Sequence, residues 1–139
     1  MTPQEIFETV AKHLFKQGER SMWGGSGEGV PYCAYRGSGG KKCAVGAILP
    51  DDHYKPSMEA LGILSLVTIF PNLPEFIRMN ANLLGKLQAV HDTPGNWRGS
   101  ATMRAKLRDA VGWDAVERTA LFDITDVSFL ETLSFEDGR

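Results

Sequence analysis

The residues able to do chemistry crowd into one stretch of this sequence. Cys33, Tyr35, Arg36, Lys41, Lys42 and Cys43 flank the small-residue run Gly37-Ser38-Gly39-Gly40. If that run is a turn between two strands, its register decides what the two thiols do. A three-residue loop sets Cys33 opposite Cys43, with Tyr35 opposite Lys41 on the same face. A two-residue turn sends the sulfurs to opposite faces. Opposed thiols allow a disulfide, but directly opposite strand positions hold Cβ atoms about 4.5–5.5 Å apart, against roughly 3.8 Å for an unstrained bridge. They also allow zinc, with Cys33, Cys43, His53 and His91 as ligands of the right types, although no C-x-x-C pair is present. The plainest alternative is two small buried side chains that pack the hairpin on a helix.

A thiol enzyme is the sharpest catalytic reading. Cys43 lies near Lys41 and Lys42, which would lower its pKa, and His91-Asp92 supplies a base and an orienting carboxylate. Neighbouring His and Asp at one helix end do not ordinarily face each other, which counts against it. The glycine-rich turn also invites comparison with a phosphate cradle. It fails the P-loop pattern, because position 35 is Tyr and Lys41 is followed by Lys42. What survives is an anion nest beside Arg36, Lys41 and Lys42, with Trp23, Tyr35 and Trp97 as flat surfaces for a planar or phosphate-bearing ligand. The acidic run Asp51-Asp52-His53 reads as turn chemistry, since a metal there would need distant ligands such as Glu59 or His91.

The elements that must position these groups follow from periodicity and punctuation. Thr2, Pro3 and Glu5 open a helix, apolar residues recur from Ile6 to Phe15, and Gly18 stops it, so a helix is predicted over residues 3–17. Residues 18–29 read as a glycine-rich loop. Residues 30–36 and 41–49 read as the arms of the hairpin, the second arm able to shorten into a helical turn near Ala47. A helical stretch is expected near 57–64, while 66–70 fits a helix or a buried strand equally. Asn72 and Pro74 start a helix of about five turns that ends near His91. Residues 92–99 are a loop, Ser100 caps a helix to about Val111, and 113–122 and 127–134 read as two short amphipathic helices. The sum is one α+β domain over residues 1–139, with helices packed on a small antiparallel sheet and a helix-rich C-terminal half.

Composition narrows the class. With 139 residues, 42% hydrophobic and 23% charged, the chain should fold around one core. A net charge of −2 and seven acidic against two basic groups in residues 114–139 disfavour nucleic acid as a partner. Two cysteines fit a reduced compartment. The N-terminus lacks the pattern of a secretory signal, and the apolar run at 60–70 is too short to span a bilayer, so a cytoplasmic location is expected. No internal repeat is visible.

Several of these residues form a longer pattern: Cys33-Ala-Tyr-Arg-Gly, Lys42-Cys43-Ala-Val-Gly, Leu49-Pro50-Asp51 with Tyr54, Met58-Glu59, then Leu87-Gln88 and His91-Asp92. With Gln4-Glu5-Ile6-Phe7 at the start, this resembles a family of small bacteriophage and prophage proteins to which no activity is assigned. Ala60, where a glycine often follows the Met-Glu pair, and the long 18–29 loop depart from the family pattern. The resemblance carries no catalytic residues. It implies a phage accessory protein that acts stoichiometrically in the host cytoplasm. Such a protein binds or inhibits a host factor, including a defence factor, or binds a small ligand, with no cofactor.

Overall fold

The computed structural model describes residues 1–23 and 32–139. Helix α1 (Pro3–Gln17) forms where predicted. Thr2 accepts the Glu5 N–H at 3.1 Å while Glu5 accepts the Thr2 N–H at 2.9 Å, a reciprocal cap, and Gly18 ends the helix in the left-handed region at φ 77°. Its inner face, from Ile6 to Phe15, is buried.

The sheet is elsewhere than predicted. β1 (Met22–Trp23) pairs antiparallel with β2 (Tyr32–Cys33), setting Met22 opposite Cys33 and Trp23 opposite Tyr32. The Ala34 N–H bonds the Ser21 carbonyl at 2.9 Å and continues the ladder. Part of the expected 18–29 loop and the start of the expected first arm, residues 24–31, lie outside the described residues. The expected second arm is no strand. Ser38–Gly40 is a 3₁₀ turn with Gly39 and Gly40 at positive φ, closed by the Gly37 N–H on the Lys41 carbonyl, and Cys43 caps helix α2 (Ala44–Ile48). Two glycine-rich segments flank Cys33, and the strand pairs across the earlier one. Gly46 lets α2 lie directly on the Tyr35 backbone, since a Cβ there would overlap the Tyr35 carbonyl.

Beyond a 3₁₀ turn at Pro56–Met58, residues 66–69 complete α3 (Ile63–Ile69), which settles the helix-or-strand alternative as helix. The predicted five-turn helix is two, α4 (Glu75–Met79) and α5 (Ala81–Asp92). They break at Asn80, whose amide bonds back to the Phe76 carbonyl. Helix α6 (Ser100–Ala110) follows a 3₁₀ turn at Pro94–Trp97. Ser100 is no cap. Its hydroxyl donates to the Arg139 carbonyl at 2.6 Å and accepts the Phe135 N–H at 2.9 Å. Of the two short C-terminal helices expected, the first is absent and the second is a 3₁₀ segment. Residues 114–119 form a turn held by an Asp114–Thr119 bridge, with Asp114 accepting the Val116 and Glu117 N–H groups, and Ser128–Thr132 is 3₁₀.

The result is an α+β fold with six α-helices and a two-stranded sheet among the described residues. One buried apolar cluster runs from Ile6 to Phe135, with Phe15, Phe135 and Trp97 in successive ring contact. Helix α1 packs on α2 and α5, and α5 on α3 and α6, so the C-terminal end of α5 arrives beside the sheet. None of the helices described is long and apolar enough to cross a membrane.

Candidate functional site

His91 and Asp92 close α5, and their placement begins with a backbone group. The Ser21 N–H donates to His91 Nε2 at 2.9 Å, so that nitrogen is an acceptor and the neutral ring carries its proton on Nδ1. Nδ1 in turn meets Asp92 Oδ1 at 2.8 Å, so the neighbouring pair does face each other. The ring is wholly buried, edge-on to Trp97, whose indole N–H bonds the His91 carbonyl. Gln88, one turn back, donates to Asp92 at 2.8 Å and accepts the Val45 N–H at 3.1 Å, which ties α5 to α2.

Cys33 comes to this corner from β2. Its thiol lies against Asp92 and 3.6 Å from the Met22 sulfur, and the ligand-capable atoms of Cys33, His91 and Asp92 lie within 4.8 Å of one another. Cys43 comes from the cap of α2, its sulfur accepting the Gly46 N–H. Both cysteines, Tyr35, Gln88 and Asp92 line one cavity of about 190 Å³, completed by the turn at residues 60–62. The Tyr35 hydroxyl bonds the Leu61 carbonyl across it.

A second carboxylate braces the outer wall. Glu59 accepts the backbone N–H groups of Tyr35 (2.9 Å) and Arg36 (3.1 Å) and the Tyr54 hydroxyl (2.7 Å). Arg36 faces inward: its guanidinium donates to the carbonyls of Tyr35, Gly46 and Leu49 and to Asp51, and lies over the Tyr54 ring at 4.9 Å. It is a strut between the 34–36 backbone and the end of α2.

The electrostatics oppose thiolate chemistry. Burial pushes the Cys43 thiol up to about 12, outweighing the bond from Gly46, and burial together with the Asp92 charge pushes Cys33 up to about 11, although Arg20 pulls the other way. Burial also raises Tyr35, and raises Tyr54 to about 12 with help from Glu59. Burial acts to raise Asp92 as well, but hydrogen bonds from His91, Gln88 and Cys33 prevail and hold its carboxyl below the ordinary value.

Against this geometry the sequence-based sites are redrawn. Cys43 is not activated by lysines: Lys41 pairs with Glu19 at 2.8 Å, and Lys42 sits 3.9 Å from Asp51. His91 is not its free base, since both ring nitrogens are engaged. The four-ligand zinc set does not assemble, because His53 lines a separate cleft with Lys55, Met58 and Phe70. The phosphate cradle dissolves with the hairpin, its three cations each turned to a carboxylate within the chain. Trp97 is 7% exposed and belongs to the core. Trp23 remains outside, 51% exposed, sharing a cleft with Tyr32, Arg36 and Tyr54. Ser21, Tyr54 and Gln88 are not among the sequence-based site residues, and Glu59 enters there only as a distant metal ligand. The last three stand in the pattern quoted for the resemblance, whereas the role of Ser21 is a backbone N–H that carries no signal in side-chain types.

Comparison with protein-family models, with curated proteins and with solved structures finds no match to this chain.

Proposed function

We propose that the chain is a stoichiometric, non-catalytic binder, a phage-type accessory protein of the host cytoplasm that sequesters a small ligand. The ligand seats in the cavity of Cys33, Tyr35, Cys43, Gln88 and Asp92. The observation that carries this reading is the combination of a braced cavity and inactive reagents. Gln88 is tied to Val45 and the Tyr35 hydroxyl to Leu61, Asp92 is held by His91 and Gln88, and Cys43 by Gly46, while both thiols are neutral at pH 7 and both nitrogens of His91 are engaged. Such a site holds without transforming. A concave cavity also favours a small ligand over a flat host-protein surface, so interference with a host or defence factor would proceed by withholding that ligand.

The test is to purify the full chain from bacterial cells, compare native and denatured mass spectra, and incubate ligand-free protein with a small-molecule extract of the host. The reading expects one molecule bound per chain and recovered chemically unchanged. Turnover of an extract component, or no small molecule retained in either arm, contradicts it.

A further inference from the structure

The cavity's charge narrows what it can hold. Among the described residues Asp92 is its only charged wall group, since Cys33, Tyr35, Cys43, Gln88 and residues 60–62 include no Lys, Arg or His. The groups that steady this carboxylate are themselves uncharged: an imidazole whose Nε2 accepts a backbone N–H, a side-chain amide and a thiol. No Lys or Arg among the described residues forms an ion pair with Asp92. Arg20 hydrogen-bonds the Cys33 thiol and lines the neighbouring cleft with Glu19, Met22 and Lys41, and it forms no ion pair with Asp92. The Asp92 side chain is 43% exposed, so its charge meets whatever enters.

Hydrogen bonds hold this carboxylate in its charged form, and a cation seated against it gains Coulombic attraction with no cation ion-paired to Asp92 among the described residues to compete for it. Tyr35 adds an aromatic wall, which attracts ammonium and guanidinium groups. No wall group among the described residues carries a positive charge for an anion. A metal ion fits poorly, because Nδ1 of His91 carries a proton and the Ser21 N–H holds Nε2 as the acceptor, so ligation would set two donors against each other. At about 190 Å³ the cavity is smaller than the usual range of roughly 300–1,000 Å³ for whole drug-sized ligands, so it suits a head group.

Resting on the small-ligand reading above, we propose that the ligand is an organic monocation whose ammonium or guanidinium head sits against Asp92 and the Tyr35 ring.

Titration of the ligand-free full chain with methylguanidinium and choline, against neutral methylurea and anionic acetate, tests this by ligand-observed NMR at low salt. Saturable binding of at least one cation is expected, at least tenfold weaker in Asp92→Asn. Because that variant also loses a bond acceptor, Gly62→Lys provides a second test. A Cβ at Gly62 meets nothing within 4 Å and its φ is −70°, so the substitution places a cation at the cavity wall without steric conflict and should weaken cation binding by a similar factor. Equal binding of methylurea, cation affinity unchanged in both variants, or stoichiometric zinc uptake would overturn the proposal. A neutral or anionic molecule released from the purified chain sinks the cation assignment and leaves the binder reading standing. Failure of every small molecule, whatever its charge, removes both.

Discussion

Glu59→Gln isolates the brace that holds the cavity wall. The carboxylate receives three donors, the Tyr35 N–H on one oxygen and the Arg36 N–H and Tyr54 hydroxyl on the other. Glutamine keeps one acceptor oxygen. Its best orientation preserves the two bonds on that oxygen, sets its own NH₂ against the Tyr35 N–H, and leaves that backbone donor unpaired. Hydrogen bonds to charged groups contribute about 1.5–3 kcal/mol, and Glu59 is only half-buried, which places the loss toward the lower end for the broken bond. Weakening of the two surviving bonds brings the total to about 2–3 kcal/mol. For a chain of this length that is a fall in Tm of roughly 8–12 °C. Tyr54→Phe removes one donor and leaves no backbone group stranded, so it should cost about 1 kcal/mol. Urea denaturation read by tryptophan fluorescence, with calorimetry for Tm, measures both. Glu59→Gln within about 0.5 kcal/mol of the parent, or less harmful than Tyr54→Phe, would refute the brace.

Gly46→Ala drives a Cβ into the Tyr35 carbonyl, and backbone on both sides leaves it nowhere to go; a loss of about 3 kcal/mol is expected in the same urea assay. Arg139→Ala removes bonds at 2.7 Å to the carbonyls of Trp97 and Gly18 and the stacking over Phe135 at 4.3 Å, and should cost about 2 kcal/mol and raise amide exchange at the end of α1. Stability should fall in alkali: an unfolded thiol ionises near pH 8.5, whereas the folded thiols titrate near 11 and 12. Their contribution is therefore complete below about pH 8.5 and lost as pH rises toward those values. Cys43→Ser keeps an acceptor for the Gly46 N–H and removes one of the two titrations, so its stability should decline less steeply between about pH 9 and 12.

Local signals were legible and pairings were not. Helix α1 carries its own start, apolar face and stop within its residues, and it appears with the bounds its sequence predicts. The strand at Cys33 had two glycine-rich segments to turn through. Composition does not rank them, and the packing of α2 on the Tyr35 backbone through Gly46 depends on a contact that no local pattern announces. The site is similar. Cys33, Cys43, His91 and Asp92 stood in the sequence as parts of two rival sets, one catalytic and one metal-binding. In the structure they meet at one corner, where a backbone N–H from Ser21 fixes the imidazole tautomer and burial raises both thiols. Arg36 beside the glycine-rich turn and Trp97 in a predicted loop read as ligand-facing, yet both donate to carbonyls inside the chain.

The proposed binder requires that the two thiols of the cavity wall, and the imidazole behind Asp92, be unreactive. The most direct measurement is the rate of native alkylation by iodoacetamide at each cysteine, followed by mass spectrometry from pH 6 to 11. Slower reaction than free cysteine at both positions, rising only above about pH 10, is the predicted result. A rapid, single-site reaction at Cys33 or Cys43 near neutral pH, lost when His91 is replaced, would contradict it and restore the cysteine enzyme.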